Sequence, residues 1–267
     1  GFTEPEKGES MSLAGRVALV TGGGRGIGKA IALALAEDGA DIAVNYRRDD
    51  AAAKETVAEI EALGRRARAY KAGVDSPDEV REMVEGVVAD FGHVDILVNN
   101  AGIASRGNSV LDTDPAELER VVRIHALGPH YLCQLVLPSM REQPRGDIVM
   151  ISSTATLSHG ANGAPYNMGK AAMEALAYTL AKEERPNGIR VNVVAPGLVD
   201  TPMAAGITSN PMMLKASVAM HPLGRIGRPE EVARAITWLL DPDNNWVTGQ
   251  VIGIDGGMAT VRGKASA

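Results

Sequence analysis

Residues 16–46 decide the fold: RVALVTGGGRGIGKAIALALAEDGADIAVNY. Val17-Ala18-Leu19-Val20 is a short, continuous apolar run, the pattern of a strand covered on both faces. Thr21-Gly22-Gly23-Gly24-Arg25-Gly26-Ile27-Gly28 follows directly. A helical stretch then runs from Lys29 to Asp38 and stops at Gly39, and Ile42-Ala43-Val44 is a second strand. In this strand–loop–helix setting Gly22, Gly26 and Gly28 allow a tight turn, close approach of backbone to a pyrophosphate, and close packing of helix on strand. The helix N-terminus supplies N–H groups and partial positive charge for phosphates.

The alternation continues outward. Helices are expected at Asp50–Leu63, at Pro77–Phe91 with Asp75 or Ser76 as cap, and at Pro229–Leu240. Strands are expected at Arg66–Lys71, Val94–Val98, Ile148–Ile151, Arg190–Val194 and Val251–Ile254. Strands alternating with helices of this length imply βαβ units and a parallel sheet. The expected fold is a single-domain, Rossmann-type α/β architecture, a doubly wound parallel sheet flanked by helices on both faces. With no internal repeat and no linker, residues 12–267 read as one dinucleotide-binding catalytic domain. The polar start, GFTEPEKGES, reads as an extension over residues 1–11 that adds nothing to the fold.

Composition excludes several classes. The 267 residues carry a net charge of -6, which disfavours nonspecific nucleic-acid binding. No apolar run approaches the roughly 20 residues of a membrane span, and no signal-peptide pattern is present. The one cysteine, Cys133, rules out an intramolecular disulfide and suits a reducing, cytoplasmic setting. It lies in an apolar helical stretch and is expected to be buried and inert.

Candidate chemistry lies between Asp147 and Glu184. A strand, Ile148 to Ile151, ends in Ser152-Ser153, and a glycine- and asparagine-rich loop follows. A helix then opens near Pro165 with Tyr166 and Lys170 at i and i+4, on one face. Phenol titrates near about 10, and a neighbouring ammonium favours phenolate. Ser153, Tyr166 and Lys170 therefore read as a proton-transfer site. At the end of the second strand the chain reads Tyr46-Arg47-Arg48 with no acid until Asp49, and Arg25 in the glycine loop adds a cation. A carboxylate there would favour NAD; arginines favour NADP.

Thr21-Gly22-x-x-x-Gly26-x-Gly28, Asn99-Asn100-Ala101-Gly102, Ser153, Tyr166-x-x-x-Lys170 and Pro196-Gly197 together resemble the short-chain dehydrogenase/reductase family, from about Leu13 to Gly257. The flavour is similar to the bacterial 3-oxoacyl-(acyl-carrier-protein) reductase group, through Arg190-Val191-Asn192-Val193-Val194-Ala195-Pro196-Gly197, Gly227 to Ala233, and Gly249 to Gly257. The resemblance implies hydride transfer between NADP(H) and a ketone or secondary alcohol, with a 3-oxoacyl thioester as one candidate. Tyr166 would transfer the proton, Ser153 would hold the substrate oxygen, and Lys170 would bind the nicotinamide ribose and lower the Tyr166 pKa. Cofactor contacts would come from Gly22, Gly24, Arg25, Gly26, Ile27, Gly28, Tyr46, Arg47, Arg48, Gly73 and Val74. Asn99, Ala101 and Gly102 would line the adenosine side, and Pro196, Gly197, Val199 and Thr201 the carboxamide side. A homotetramer built on the Ala116–Arg141 and Tyr166–Glu184 helices is implied as well. Residues 198–223, rich in methionine, would form a substrate lid, with Pro202, Pro211 and Pro222 as breaks.

Two positions depart from the family pattern. Gly73 replaces an acid or amide, which removes a side-chain bond to adenine. His125 stands where the family has a catalytic asparagine, whose carbonyl holds a relay water. Asp114-Pro115-Ala116-Glu117 reads as a helix start, with Glu117 reaching back to the cap. Pro129, lacking an N–H, is expected to interrupt that helix and free the His125 carbonyl, so that the His125 backbone matters more than its side chain. The rival reading is a catalytically impaired, cofactor-binding regulatory or assembly protein. His159 is a candidate substrate contact; the other histidines have no metal spacing.

Overall fold

The computed structural model describes residues 12–261; the expected extension at 1–11 lies outside them. The chain alternates β1 (Val17–Val20), α1 (Gly26–Glu37), β2 (Asp41–Tyr46), α2 (Asp50–Ala62), β3 (Ala67–Lys71), α3 (Pro77–Phe91) and β4 (Ile96–Asn99). Then come α4 (Pro115–Val122), a π-helical turn (Arg123–Leu127), α5 (Gly128–Met140), β5 (Gly146–Ile151), α6 (Ala155–Ser158) and α7 (Ala164–Glu183). The last part holds β6 (Ile189–Pro196), α8 (Ala205–Thr208), α9 (Pro211–Ala219), α10 (Pro229–Leu240) and β7 (Val251–Ile254). All strand pairs are parallel, in the order β3-β2-β1-β4-β5-β6-β7.

The continuous apolar runs have a direct cause. Successive side chains of a strand point to opposite faces, and both faces of this sheet are covered. In β1, Val17 and Leu19 join the core under α3, α5 and α7, with Val84, Val136 and Met173. Ala18 and Val20 join the core under α1, α2 and α10, with Ile31, Ile60 and Ile236. The strand order reverses between β1 and β4, and a doubly wound sheet binds its ligand in the crevice outside the carboxyl ends of the strands at such a point. The glycine loop after β1 and the Asn99–Gly102 segment after β4 both open there.

Local chemistry places the helix starts. Ser76 caps α3 by accepting the Glu79 N–H, and Asp114 caps α4 by accepting the Ala116 N–H at 2.9 Å. Glu117 does not reach back as expected. It is buried and accepts the Arg106 N–H at 3.1 Å while pairing with Arg120 at 2.6 Å. A charged partner one turn away and an orphaned loop N–H compete better for that carboxylate than the cap does. Pro129 does not interrupt the helix either. The π turn ahead of it, with the Gly128 N–H bonded to the Arg123 carbonyl, widens the coil, and α5 continues to Met140. Pro202 and Pro211 likewise begin short helices in the 198–223 segment instead of breaking them.

At the opposite end of the sheet, the buried Asp147 receives Arg16 at 2.9 Å, Arg145 at 2.9 Å and Arg190 at 2.7 Å. These guanidinium groups also bind carbonyls at the C-terminal end of α10, Leu240 from Arg145 and Leu239 from Arg190. Asp147→Ala leaves three cations without their counter-charge. A urea titration is expected to show a loss of about 3–5 kcal/mol, with the dinucleotide crevice otherwise intact.

Candidate active site

The candidate reaction centre is built where α7 lies along the end of β5. Tyr166, Lys170 and Glu174 recur every four residues and share one face of α7. The Lys170 ammonium is buried and donates to the Ile151 carbonyl at 2.6 Å. It lies 5.7 Å from the centre of the Tyr166 ring. Ser153, just past the strand, offers its hydroxyl to the Tyr166 phenol. Ser153 Oγ also accepts the Ala155 N–H at 3.2 Å, which leaves its own proton free to donate. The structure thus gathers Ser153, Tyr166 and Lys170 as the sequence implied.

The electrostatics differ from expectation. Burial raises the Tyr166 pKa above the ordinary phenol value, and the bond from Ser153 only partly offsets it. Burial also pushes Lys170 down to about 7, with the negative charge of Glu174 opposing. A phenolate and an ammonium both lose solvation in the same low-dielectric site. Burial of the phenol outweighs the groups that favour its ionised form, so among the protein's own groups the expected lowering of Tyr166 is not reached.

His125 belongs to the same cluster. Its ring, 1 % exposed, stands edge-on to Tyr166, with centroids 5.1 Å apart. Nε2 lies 2.7 Å from the Ile103 carbonyl oxygen. Nε2 also lies 3.2 Å from the Ile103 N–H, so the main chain of this one residue holds the ring. Nδ1 is buried without a hydrogen-bond partner among the described residues. Burial and the nearby Lys170 hold His125 neutral, with its pKa down to about 3. The ring fits because residue 102 is glycine; a Cβ there would meet His125 Cε1 at 2.6 Å. The His125 side chain thus has a place in the site beside the expected role of its backbone. The imidazole is one wall of the Tyr166 pocket. Pro129 still denies the His125 carbonyl its α-helical partner.

The opposite side of the crevice fits a dinucleotide. A Cβ at position 28 would stand 2.1 Å from the Gly22 oxygen, so only glycine lets α1 start that close to the loop. The first turn of α1 has no side-chain cap and no acidic residue, and its N–H groups face the space a phosphate would take. Gly22, Gly24, Arg25, Gly26 and Ile27 form this cradle. Thr201, after Pro196-Gly197 and Val199, stands over Gly26. Arg47 pairs with Asp75 at 3.2 Å, and the Gly73 N–H donates to Glu79 at 2.7 Å, so carboxylates from a neighbouring turn surround the glycine. Tyr46 donates to Asp50 at 2.6 Å, Arg48 is exposed, and Val74 is buried. His159 lies exposed in a left-handed turn.

The Asn99 side chain is buried between Cys133 and Met150, so its main chain is what is left to line the crevice. The neighbouring Asn100 instead donates to Thr21 O at 2.9 Å and fastens the Ala101-Gly102 segment to the glycine loop. Cys133 is buried, its thiol pushed up to about 12 by desolvation, as an inert core residue should be. Sequence reasoning missed Asn45, which accepts the Gly22 N–H at 3.2 Å and donates to Ala72 O at 3.0 Å. It also missed Glu174; the four-residue spacing from Lys170 was the available signal.

A glycine loop opening α1 and a Ser–Tyr–Lys cluster past the end of β5, both at the carboxyl ends of the strands, are the arrangement expected of a dinucleotide-dependent oxidoreductase. Residues 22–259 match the family model described as enoyl-(acyl carrier protein) reductase, and the chain belongs to this family, within the short-chain dehydrogenases/reductases. It is 37% identical over 249 residues to the 3-oxoacyl-[acyl-carrier-protein] reductase FabG of Thermotoga maritima, covering 93% of this chain and 99% of the relative. Versicolorin reductase stcU of Emericella nidulans is 36% identical, with 93% and 97% covered. A short-chain dehydrogenase from Burkholderia cenocepacia, solved with NADP, superposes with TM-score 0.86 at 36% identity, covering 92% of this chain and 99% of that one. The angucycline C-6 ketoreductase LanV with bound NADP superposes with TM-score 0.87 at 32% identity, over 93% and 97%.

Two outcomes follow. Gly28→Ala should leave the circular dichroism spectrum unchanged and weaken pyridine-dinucleotide binding, read by nucleotide fluorescence, by about tenfold or more. The depressed His125 pKa adds stability that is complete above the unfolded value of 6.5 and is lost as pH falls toward about 3. In His125→Phe the loss of stability between pH 7 and pH 5 should accordingly be smaller than in the parent protein, as measured by urea titrations at the two pH values.

Proposed function

We propose that this protein is an NADP(H)-dependent carbonyl reductase or alcohol dehydrogenase acting on a ketone or secondary alcohol, with a 3-oxoacyl thioester as one candidate class. The observation that carries the reading is the convergence of Tyr166, Ser153 and buried Lys170 at the end of β5, opposite the glycine cradle. When bound, the cofactor supplies or receives the hydride. In the reductive direction Ser153 holds the substrate oxygen, Tyr166 gives it a proton as the carbon is reduced, and Lys170 favours the phenolate that remains. In the oxidative direction Tyr166 takes the alcohol proton.

The preference for NADP rests on charge at the end of β2. Arg25 and Arg48 have no side-chain partner among the described residues, and Arg47, half exposed, is held by Asp75 beside them. A 2′-phosphate supplies the anion that such cations lack. The NADP-bound relatives and the 3-oxoacyl-acyl-carrier-protein reductases support both the cofactor and the reaction class. Met203, Met212, Met213 and Met220 are exposed on the 198–223 segment and would offer an adaptable apolar cover to substrate. A cytoplasmic homotetramer is part of the same proposal.

Tyr166→Phe should abolish NADPH oxidation across a ketone panel, a loss of at least about a thousandfold, while NADPH still binds. Turnover that survives this substitution would remove Tyr166 from the reaction. Absence of turnover in the unsubstituted protein, with NADPH bound, would favour the regulatory reading.

A further inference from the structure

Glu174 lies one turn beyond Lys170 and two beyond Tyr166, on the same face of α7. The three side chains meet the end of β5 and the turn after it at three successive rungs. Tyr166 faces Ser153, Lys170 donates to the Ile151 carbonyl at 2.6 Å, and Glu174 receives the buried Ser152 hydroxyl at 2.5 Å. Thr156 adds a second hydroxyl, 2.9 Å from the same Glu174 oxygen and 2.9 Å from the Ser153 carbonyl. The carboxylate therefore grips the chain immediately before and shortly after Ser153. A hydroxyl bonded to an ionised acceptor is held more firmly than one bonded to a neutral group.

Resting on the reading of Ser153, Tyr166 and Lys170 given above, we propose that Glu174 is a positioning residue for this centre. Its carboxylate fixes the turn that aims Ser153 and supplies an anion one helical turn from Lys170. A cation with no anion near it in a buried site loses its charge. The groups around Lys170 single out Glu174. On α7 itself the other titratable neighbour is Tyr166, and the π turn contributes His125, which is neutral. α4 contributes Glu117, whose carboxylate is already engaged by Arg120 and the Arg106 N–H. β5 and β6 carry their charged residues, Asp147 and Arg190, near their other ends, where the two pair with each other. α6 has no ionisable side chain. Of these groups, Glu174 is the one whose charge raises the Lys170 pKa against the effect of burial.

The test uses the full chain and three variants. Glu174→Gln keeps an acceptor oxygen for Ser152 and Thr156 but removes the charge. Glu174→Asp keeps the charge, and Glu174→Ala removes both. The ammonium of Lys170 is titrated by NMR in lysine-labelled protein without substrate, its signal assigned by loss in Lys170→Arg. Glu174→Gln should move this titration to lower pH by about one unit, and the alkaline limb of ketone reduction should move the same way. Both directions follow from removing an anion, which makes each neighbouring proton easier to lose. Glu174→Asp should restore both toward the parent values, and Glu174→Ala should add a fall in kcat larger than any change in KM. A Lys170 titration and an alkaline limb left in place by Glu174→Gln would overturn the proposal. So would a kcat loss in Glu174→Ala that comes without any shift in titration. If the unsubstituted protein turns over no ketone, the functional reading above fails, while the substrate-free lysine titration still decides the role of Glu174.

Discussion

A buried ammonium organises this molecule. Lys170 sits in the interior with the Ile151 carbonyl as its hydrogen-bond partner, and burial makes its charge hard to keep. Taking a cation out of water is unfavourable unless nearby dipoles and charges compensate. The end of β5 supplies a carbonyl, and α7 supplies Glu174 from its next turn. The same register that brings Lys170 to Ile151 also brings Tyr166 to Ser153. The proton-transfer geometry and the accommodation of the buried charge are thus one packing arrangement, the seating of α7 on the end of β5.

The sheet makes that seating useful. Because the strand order reverses between β1 and β4, the segments after these two strands diverge and leave a crevice at their carboxyl ends. Asn45 and Asn100 lace its walls together through the main chain of the glycine loop. His125 reaches into the crevice from the π turn that absorbs Pro129. Its neutral ring, bonded to Ile103 and set edge-on to Tyr166, gives the crevice a flat, uncharged wall. A charged imidazole there would compete with Lys170 for the same scarce solvation. Burial removes that conflict by keeping the ring neutral at the pH where a phenol and a lysine exchange protons.

Much of the fold was legible because its signals are local. β1, α3, α10 and β7 follow from apolar runs and from cap or proline positions, and α3, α10 and β7 match expectation residue for residue. The candidate site was legible to the same depth. Tyr166 and Lys170 share a face because four residues make about one helical turn. What eluded the sequence was each side chain's choice between competing partners. Glu117 had a cap in reach and took Arg120 and a loop N–H. Asn99 had the crevice in reach and turned to Cys133 and Met150. The Pro129 break was expected from a missing N–H, yet one wider turn let the helix pass.

The sequence alone determined the alternation of strand and helix, the glycine loop that opens α1 and the one-turn spacing of tyrosine and lysine. Each depends on residue types and intervals along a few turns of chain. Only the tertiary structure decided the place of the His125 ring, the partners of Glu174 and the direction in which burial moves the Tyr166 and Lys170 protons. Those properties depend on which groups from distant segments come within a few ångströms of one another, and on how much water that packing leaves between them.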